Sequence, residues 1–193
     1  RYQYKAGKVK LTASALWQLQ YLSSGPNGMS EEYIKNSCVP EIYAGIDYKH
    51  NGLLIGAGIE MVSLTPRTQT TVEDKIYKVS ERITSLSYEV HMKYNTAKWF
   101  VAAKSVLGSN LTQTSMLGGY GVKSVDPRTG EQEYSPNRNS SSWINIVYGK
   151  TWKPALFFGY MKNLGTSDAV TKMYGTGTNI DQLISGTAEL TYN

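Results

Sequence analysis

The chain contains two histidines, His50 and His91, and each has a carboxylate nearby in the sequence. Asp47 precedes His50 by three positions, and Glu89 precedes His91 by two. An imidazole beside a carboxylate is the pairing that general acid–base catalysts and many metal sites use. Neither histidine has the further closely spaced ligands or the nucleophile that a metal site or a catalytic triad needs. We therefore expect no catalytic residue, no metal ion and no cofactor, and we predict that the protein is not an enzyme.

Two other features fail as chemical motifs. Gly56 and Gly58 begin a glycine pattern of the dinucleotide-binding type, but Met61 stands where the third glycine belongs, and no helix is predicted after it. The single cysteine, Cys38, excludes an internal disulfide and any metal site built from several cysteines. The two glycines are better explained by strands that pack closely or curve.

Residues 42–64 give the clearest structural signal in the chain. Two segments that alternate apolar and polar residues flank Asn51-Gly52, the strongest short-range signal for a hairpin with a type I′ turn. The apolar positions of this hairpin share one face: Ile42, Ala44, Ile46, Tyr48, Leu53, Ile55, Ala57, Ile59 and Met61. The other face carries charge and glycine: Tyr43, Gly45, Asp47, Lys49, Gly56, Gly58 and Glu60. A half-buried soluble sheet and a lipid-facing sheet both produce this alternation.

Long alternating segments recur along the whole chain and predict about eight long strands. The first, from Val9 to Tyr21, is longer than the soluble mean of about 5 to 6 residues, whereas a tilted strand needs about 9 to 11 residues to cross a bilayer. Its aromatic residues, Trp17 and Tyr21, are typical of an interfacial girdle. Residues 1–5 alternate in the same way and indicate an earlier strand, so we expect the barrel to be incomplete at both ends.

The predicted connections between these strands alternate strictly between long and short. The long ones cover about residues 23–40, 65–79, 109–142 and 166–180, and the third has a candidate short strand at Met116–Lys123. The short ones lie at Asn51-Gly52, Asn95–Ala97 and Thr151–Pro154. Short turns at one rim and long loops at the other are typical of outer-membrane barrels. The predicted fold is therefore all-β, a single antiparallel transmembrane β-barrel domain over residues 1–193 that forms part of a larger barrel.

Composition agrees with this prediction and argues against other classes. The 193 residues are 18% charged, and no apolar run approaches the roughly 20 residues that a spanning helix needs. The formal net charge is +5, but the basic residues are scattered and the aromatics fall mostly on apolar faces. Nucleic-acid binding requires a clustered basic face with stacking aromatics. We therefore expect no nucleic-acid partner.

Two segments near the end of the chain resemble a known family. Trp143–Lys150 and Phe157–Thr166 are similar to outer-membrane porins of Gram-negative bacteria, in particular Bacteroidota porins of the trimeric DcaP-like kind. The most specific part is the Gly-Tyr-x-Lys-Asn-Leu-Gly run at 159–165. The resemblance implies a trimeric barrel in the bacterial outer membrane, in contact with outer-membrane lipid, that lets small polar or anionic solutes diffuse through each protomer. It implies no catalytic residue.

The pleat of the predicted strands selects the side chains that would line a pore. The pore-lining candidates are Lys10, Gln18, Gln20, Asp47, Lys49, Glu60, Glu89, His91, Lys93, Lys104 and Glu189. Four of them are lysines and four are carboxylates, so the net charge of the chain does not predict anion selectivity. In the loop at 109–142, four charged residues are candidates to constrict the pore: Lys123, Asp126, Arg128 and Arg138. An exposed position for this loop is an equally good expectation.

Three functional classes remain. A channel for passive diffusion of small polar solutes is the first. A structural or docking barrel with a plugged lumen, associated with a larger envelope complex, is the second. The third is a soluble β-sandwich or binding module, in which the isoleucines of the 42–64 hairpin would pack beneath a second sheet or a helix.

Overall fold

The computed structural model describes residues 1–17, 23–114 and 116–192, and within them nearly all regular structure is β-strand. One short helix, α1 (Glu32–Ser37), and a 3₁₀ turn at Leu111–Thr114 interrupt the strands. The strands in chain order are β1 (Tyr2–Ala6), β2 (Val9–Leu16), β3 (Ser23–Gly25), β4 (Gly28–Ser30), β5 (Glu41–His50), β6 (Leu53–Leu64), β7 (Gln69–Val72), β8 (Lys75–Lys78), β9 (Ile83–Asn95), β10 (Trp99–Ser109), β11 (Gly118–Val125), β12 (Gln132–Tyr148), β13 (Trp152–Gly165), β14 (Lys172–Thr176) and β15 (Gln182–Tyr192).

The principal sheet is an antiparallel meander. Its spatial order is β1, β2, β5, β6, β9, β10, β12, β13 and β15, so each long strand pairs with the long strands before and after it in the chain. The eight predicted long strands are thereby confirmed, as is the earlier strand at the start of the chain, which is β1. Among the described residues β1 and β15 each pair with one strand, so the sheet is not closed.

The 42–64 hairpin forms as the sequence predicts. Asn51 and Gly52 have φ values of 46° and 81°, the left-handed region that a type I′ turn needs. Ile46 lies opposite Ala57 across the two strands, and Asp47 lies opposite Gly56. The alternation therefore separates an apolar face from a polar face.

The apolar face of the principal sheet is exposed. Ile42, Ile46, Tyr48, Ile55 and Ile59 have between 39% and 49% of their surface accessible. Within the described ranges no second sheet or helix packs over them, whereas the soluble alternative requires such a layer. Aromatic pairs lie on this face toward the short turns, at Trp99–Tyr148 and at Trp152–Tyr192, with ring centroids 4.5 and 4.8 Å apart. Such a face is suited to lipid, with an aromatic girdle at its rim.

The facing of β10, which its sequence leaves ambiguous because both faces are apolar, is decided by its neighbours. Val101 pairs with Tyr94 of β9 and with Ile146 of β12, so it belongs to the apolar face. Phe100 and Lys104 therefore lie on the polar face. The predicted lipid-facing residues of β12 and β13 also fall together, since Ile144 pairs with Phe158.

The long connections contain more regular structure than the sequence indicates. The prediction of a loop over 109–142 is wrong for residues 132–142, which form the first part of β12. The short strand expected near Met116–Lys123 is observed as β11. The polar composition of 132–142 is typical of loops, but hydrogen-bonding to β10, β11 and β13 makes it a strand. The first long strand ends at Leu16, and residues 18–22, where it was predicted to continue, lie outside the described residues.

These connections build a small core at one end of the sheet. We call residues 23–40, 65–82, 110–114, 116–137 and 166–181 the cap. Its buried core joins residues of the cap to residues of β6 and β9, with Tyr134 packed against them: Tyr33, Ile34, Tyr120, Val122 and Tyr174 from the cap, and Val62, Leu64 and Ile83 from the sheet. Val62 and Leu64 lie on the same face of β6 as Glu60, and Ile83 lies on the same face of β9 as Glu89. The cap therefore packs on the polar side of the sheet.

Candidate functional site

Five charged side chains meet on the polar face of the sheet, and we call them the ionic ladder: Lys10, Asp47, His91, Glu89 and Lys104. Strand register places four of them in one row. Lys10 pairs with Asp47 and His91 pairs with Lys104, while Gly56, on the strand between, pairs with both Asp47 and His91. One row across five strands therefore carries these four residues. Glu89 lies two residues before His91 on the same face of β9.

The side chains of the ladder contact one another in sequence, with the two carboxylates lying between the two lysines and the imidazole. Lys10 forms an ion pair with Asp47, whose Oδ1 lies 3.0 Å from His91 Nε2. The other ring nitrogen, Nδ1, lies 3.2 Å from Glu89 Oε2. The same carboxylate oxygen lies 3.1 Å from Lys104 Nζ. The ladder thus extends from β2 to β10 as a continuous series of ion pairs and imidazole–carboxylate contacts.

Glycines on β6 provide the space in which this network forms. A Cβ at Gly56 would lie 2.5 Å from both Asp47 Oδ1 and His91 Nε2. At Gly58 it would lie 2.5 Å from the hydroxyl oxygen of Tyr43. That hydroxyl donates a hydrogen bond of 2.8 Å to Glu89. The glycines therefore permit side chains of β5 to cross β6 and reach β9.

All five members of the ladder are among the pore-lining candidates, and the structure places them on one face of the sheet. Other candidates lie on the same face outside the ladder. Glu60 lies 3.4 Å from the Ser87 hydroxyl, and the Lys93 ammonium lies 5.2 Å from the ring centroid of Phe100. Lys49 lies beside the first short turn, and Glu189 is exposed on β15. Gln18 and Gln20 lie outside the described residues.

A cavity of about 350 Å³ lies beside the ladder, at its β10 end. Tyr43, Glu89 and Lys104 form part of its wall, and Trp143 adds an indole. The segment after β10 covers it with Leu111 and Met116. The sequence places Tyr43 on the polar face of the hairpin, but neither Tyr43 nor Trp143 is among the predicted pore-lining residues. Their strand parity was the available signal, because Tyr43 shares parity with Asp47, and Trp143 pairs with Lys104.

The four constriction candidates lie in or beside the β11–β12 hairpin. Lys123 is exposed, with its ammonium 3.4 Å from Glu133. Asp126 and Arg128 form the turn, where the Asp126 carboxylate accepts a 2.7 Å hydrogen bond from the Arg128 backbone N–H. This bond holds the pKa of Asp126 below its ordinary value. Arg138 pairs with Ser109 of β10 and has the parity of the apolar face.

A buried ion pair fixes the tip of this hairpin to the connection between β6 and β9. The Glu81 side chain is fully buried and accepts two hydrogen bonds of 3.0 Å from Nε of Arg67. It also accepts a hydrogen bond from the Tyr134 hydroxyl and one of 2.7 Å from the Gln132 backbone N–H. The pKa of Arg67 is raised, because its guanidinium hydrogen-bonds to the Glu81 carboxylate.

The same guanidinium donates a 2.7 Å hydrogen bond to the carbonyl of Gly130, which joins the two connections directly. The sequence carries little sign of this contact, because Arg67 falls in the predicted polar loop at 65–79 and Glu81 lies between that loop and the next predicted strand. Within the described ranges no group of three or more histidine, cysteine or acidic side chains is arranged to hold a metal ion. No helix in those ranges is long and apolar enough to cross a membrane.

Comparison with known proteins agrees with this architecture. No protein-family model matches the chain, and no curated protein sequence matches it. Among solved structures, the outer membrane channel DcaP of Acinetobacter baumannii is similar, with a TM-score of 0.58 and 14% sequence identity. The match covers 86% of this chain and 44% of the DcaP chain, so the chain spans less than half the length of that channel. The fold is an open antiparallel sheet of the outer-membrane channel type.

Proposed function

We propose that the protein is an outer-membrane channel, or a part of one, for passive diffusion of small polar solutes. The observation that carries the proposal is the two-sided principal sheet. Its apolar face is exposed, while the opposite face holds the ionic ladder and further charged side chains. Such a sheet fits the wall of a barrel that has lipid on one side and water on the other. The similarity to a solved outer-membrane channel supports the same location.

The chemistry of the polar face favours small polar solutes without a strong preference for charge sign. The two lysines of the ladder each pair with one of its two carboxylates, so these four charges balance. Selectivity requires a ring of like charge or a narrow constriction. The described part of the polar face carries balanced pairs, so we propose a weakly selective channel. The Bacteroidota origin and the trimeric state implied by the sequence resemblance remain proposals with it.

A second candidate is a docking barrel with a plugged lumen, and one observation favours it. The cap packs on the polar side of the sheet, and Leu111, Thr114 and Met116 line the cavity beside the ladder. A cap that also met the opposite wall of a closed barrel would block the pore. Such a protein would act by binding a larger envelope complex.

Conductance in planar lipid bilayers separates the two candidates. The protein is refolded in detergent, and its folded state is checked by heat-modifiable migration on a gel. A channel gives discrete conductance steps, whereas a plugged docking barrel is silent and co-purifies with a partner. Ile46→Arg provides a test of the lipid-facing assignment, because a charge near the bilayer midplane costs about 2 to 4 kcal/mol and should lower the folded yield. Thr71→Arg, in the cap, is the matched control and should fold normally.

A further inference from the structure

His91 occupies an unusual position between two carboxylates. Each of its ring nitrogens lies within hydrogen-bonding distance of one of them, Asp47 at 3.0 Å and Glu89 at 3.2 Å. A neutral imidazole carries one N–H donor and one acceptor nitrogen, whereas an imidazolium carries two donors. Ionised carboxylates are only acceptors. Both contacts can therefore be hydrogen bonds only when His91 is protonated.

Charged and titratable groups face His91 from each neighbouring strand of the polar face. Lys10 approaches from β2 and Lys104 from β10. Tyr43 approaches from β5, next to Asp47, and the carboxyl groups of Glu41 on β5 and Glu60 on β6 lie farther along the same face. On β9 itself, Glu89 and Lys93 flank His91 on the same face. The cap segment that covers the adjacent cavity contributes Leu111, Thr114 and Met116, which carry no charge.

The charge of the ladder depends on this one proton. With His91 protonated, the ladder has three cations and two anions. With His91 neutral, the two lysines balance the two carboxylates. Loss of the proton need not break the network, because Asp47 keeps Lys10, and Glu89 keeps Lys104 and the Tyr43 hydroxyl. The change is therefore electrostatic rather than an unfolding of the site.

We propose that His91 determines the charge preference of the pore, as a proton-dependent cation inserted between Asp47 and Glu89. This inference rests on the proposed channel function and adds to it a specificity-determining residue. The protonated state favours small anions on the polar face, and the neutral state has no net preference from the ladder. Histidine is the side-chain type whose charge ordinarily changes between about pH 5 and pH 8, so the preference responds to the pH of the medium.

The reversal potential across a KCl gradient measures this preference. We expect the permeability ratio of chloride to potassium to be about three-fold higher at about pH 5 than at about pH 8, the order expected for one added charge near the ion path. His91→Gln should remove most of this pH dependence. His91→Lys should hold the ratio at its high value at both pH values. His50→Gln is the matched control, because it removes the other histidine of the chain and should behave like the wild type.

A pH dependence in His91→Gln equal to that of the wild type would overturn the inference while leaving the channel function intact. Absence of any conductance in the folded protein would instead refute the proposed function. A second readout then decides the inference. Carbon-13 imidazole spectra of the protein in micelles, assigned with the two glutamine variants, report the ring protonation of each histidine. Failure of His91 to carry protons on both nitrogens at about pH 5 would refute the proposed cation.

Discussion

The ionic ladder and the cap are both polar networks on the same side of one sheet, but they are built in different ways. In the ladder, charges remain partly exposed, with 30% of the Lys10 side chain and 40% of the Lys104 side chain accessible. In the cap, the Glu81 carboxylate is fully buried. It accepts hydrogen bonds from the Arg67 guanidinium, the Tyr134 hydroxyl and the Gln132 backbone N–H. The ladder relies on strand register, whereas the cap relies on a hydrophobic core.

The difference predicts distinct consequences for substitutions. An exposed ion pair contributes little to stability, because water screens it and competes for its hydrogen bonds. A buried carboxylate whose partner is removed leaves an uncompensated charge, which is costly. Changes in the cap should therefore alter stability, and changes in the ladder should alter how ions interact with the polar face.

The largest expected effect is in the cap. Glu81→Ala leaves the Arg67 guanidinium, the Tyr134 hydroxyl and the Gln132 N–H without their acceptor. Breaking a buried pair in this way costs about 3 to 5 kcal/mol. Urea unfolding in lipid vesicles measures the loss, and trypsin should cut faster after Arg128. Glu133→Ala is the control, since that side chain is 67% exposed, and an equal effect there would contradict the assignment.

A smaller effect is expected where the ladder crosses β6. Gly56→Ala places a methyl group 2.5 Å from Asp47 Oδ1 and His91 Nε2, so these side chains must separate. Overpacking of this kind costs about 1 to 3 kcal/mol. We expect a lower urea midpoint together with a changed reversal potential. Gly186→Ala is the matched control, because the nearest atom to its added Cβ is 4.0 Å away. Similar behaviour of the two variants would refute the close approach of Asp47 and His91 to Gly56.

Removal of one hydrogen bond tests the contact between β5 and β9. Tyr43→Phe deletes the hydroxyl that donates to Glu89 and should lower the free energy of unfolding by about 1 kcal/mol. The measurement is urea unfolding, with reversal potential as a second readout. Tyr88→Phe, on the exposed apolar face, should change neither quantity. Equal destabilisation by both substitutions would show that the Tyr43 hydroxyl has no special role.

The smallest effect concerns the turn of the β11–β12 hairpin. The Arg128 N–H lowers the pKa of Asp126, so the ionised carboxylate stabilises the turn above the ordinary aspartate range. This contribution is lost as the pH falls through the lowered pKa of the folded state. We expect the amide resonances of Arg128 and Thr129 to move below about pH 4 in the wild type and to stay constant in Asp126→Asn. A transition at or above the ordinary range would contradict this prediction.

The sequence predicts the principal sheet well because strand alternation is a local property. Each side chain alternates faces with a period of two, so Ile46, Asp47 and Glu89 could be placed on their faces without knowledge of their neighbours. Asn51-Gly52 likewise fixed the turn of the hairpin through backbone preference alone. The same alternation places the charged members of the ladder on the polar face.

The cap could not be predicted in this way. Residues 132–142 are rich in serine and asparagine and read as a loop, but they form a strand because β10, β11 and β13 supply its hydrogen bonds. Arg67 and Glu81 are separated by fourteen positions in a polar segment, and only packing against Tyr134 brings them together with Gln132. Their pairing depends on contacts distant in sequence, which local patterns do not record.

The sequence by itself thus determined the apolar and charged faces of the long strands other than β10, the number of long strands, and the turn at Asn51-Gly52, whereas the short connection expected at Thr151–Pro154 lies at residues 149–151. Tertiary structure decided which charges meet. The lysines and carboxylates of the polar face could pair in many ways, and the register across β2, β5, β6, β9 and β10 selects one set. It also decided that the cap packs on the polar side, because burial of Tyr120 and Val122 against Leu64 requires distant segments to meet.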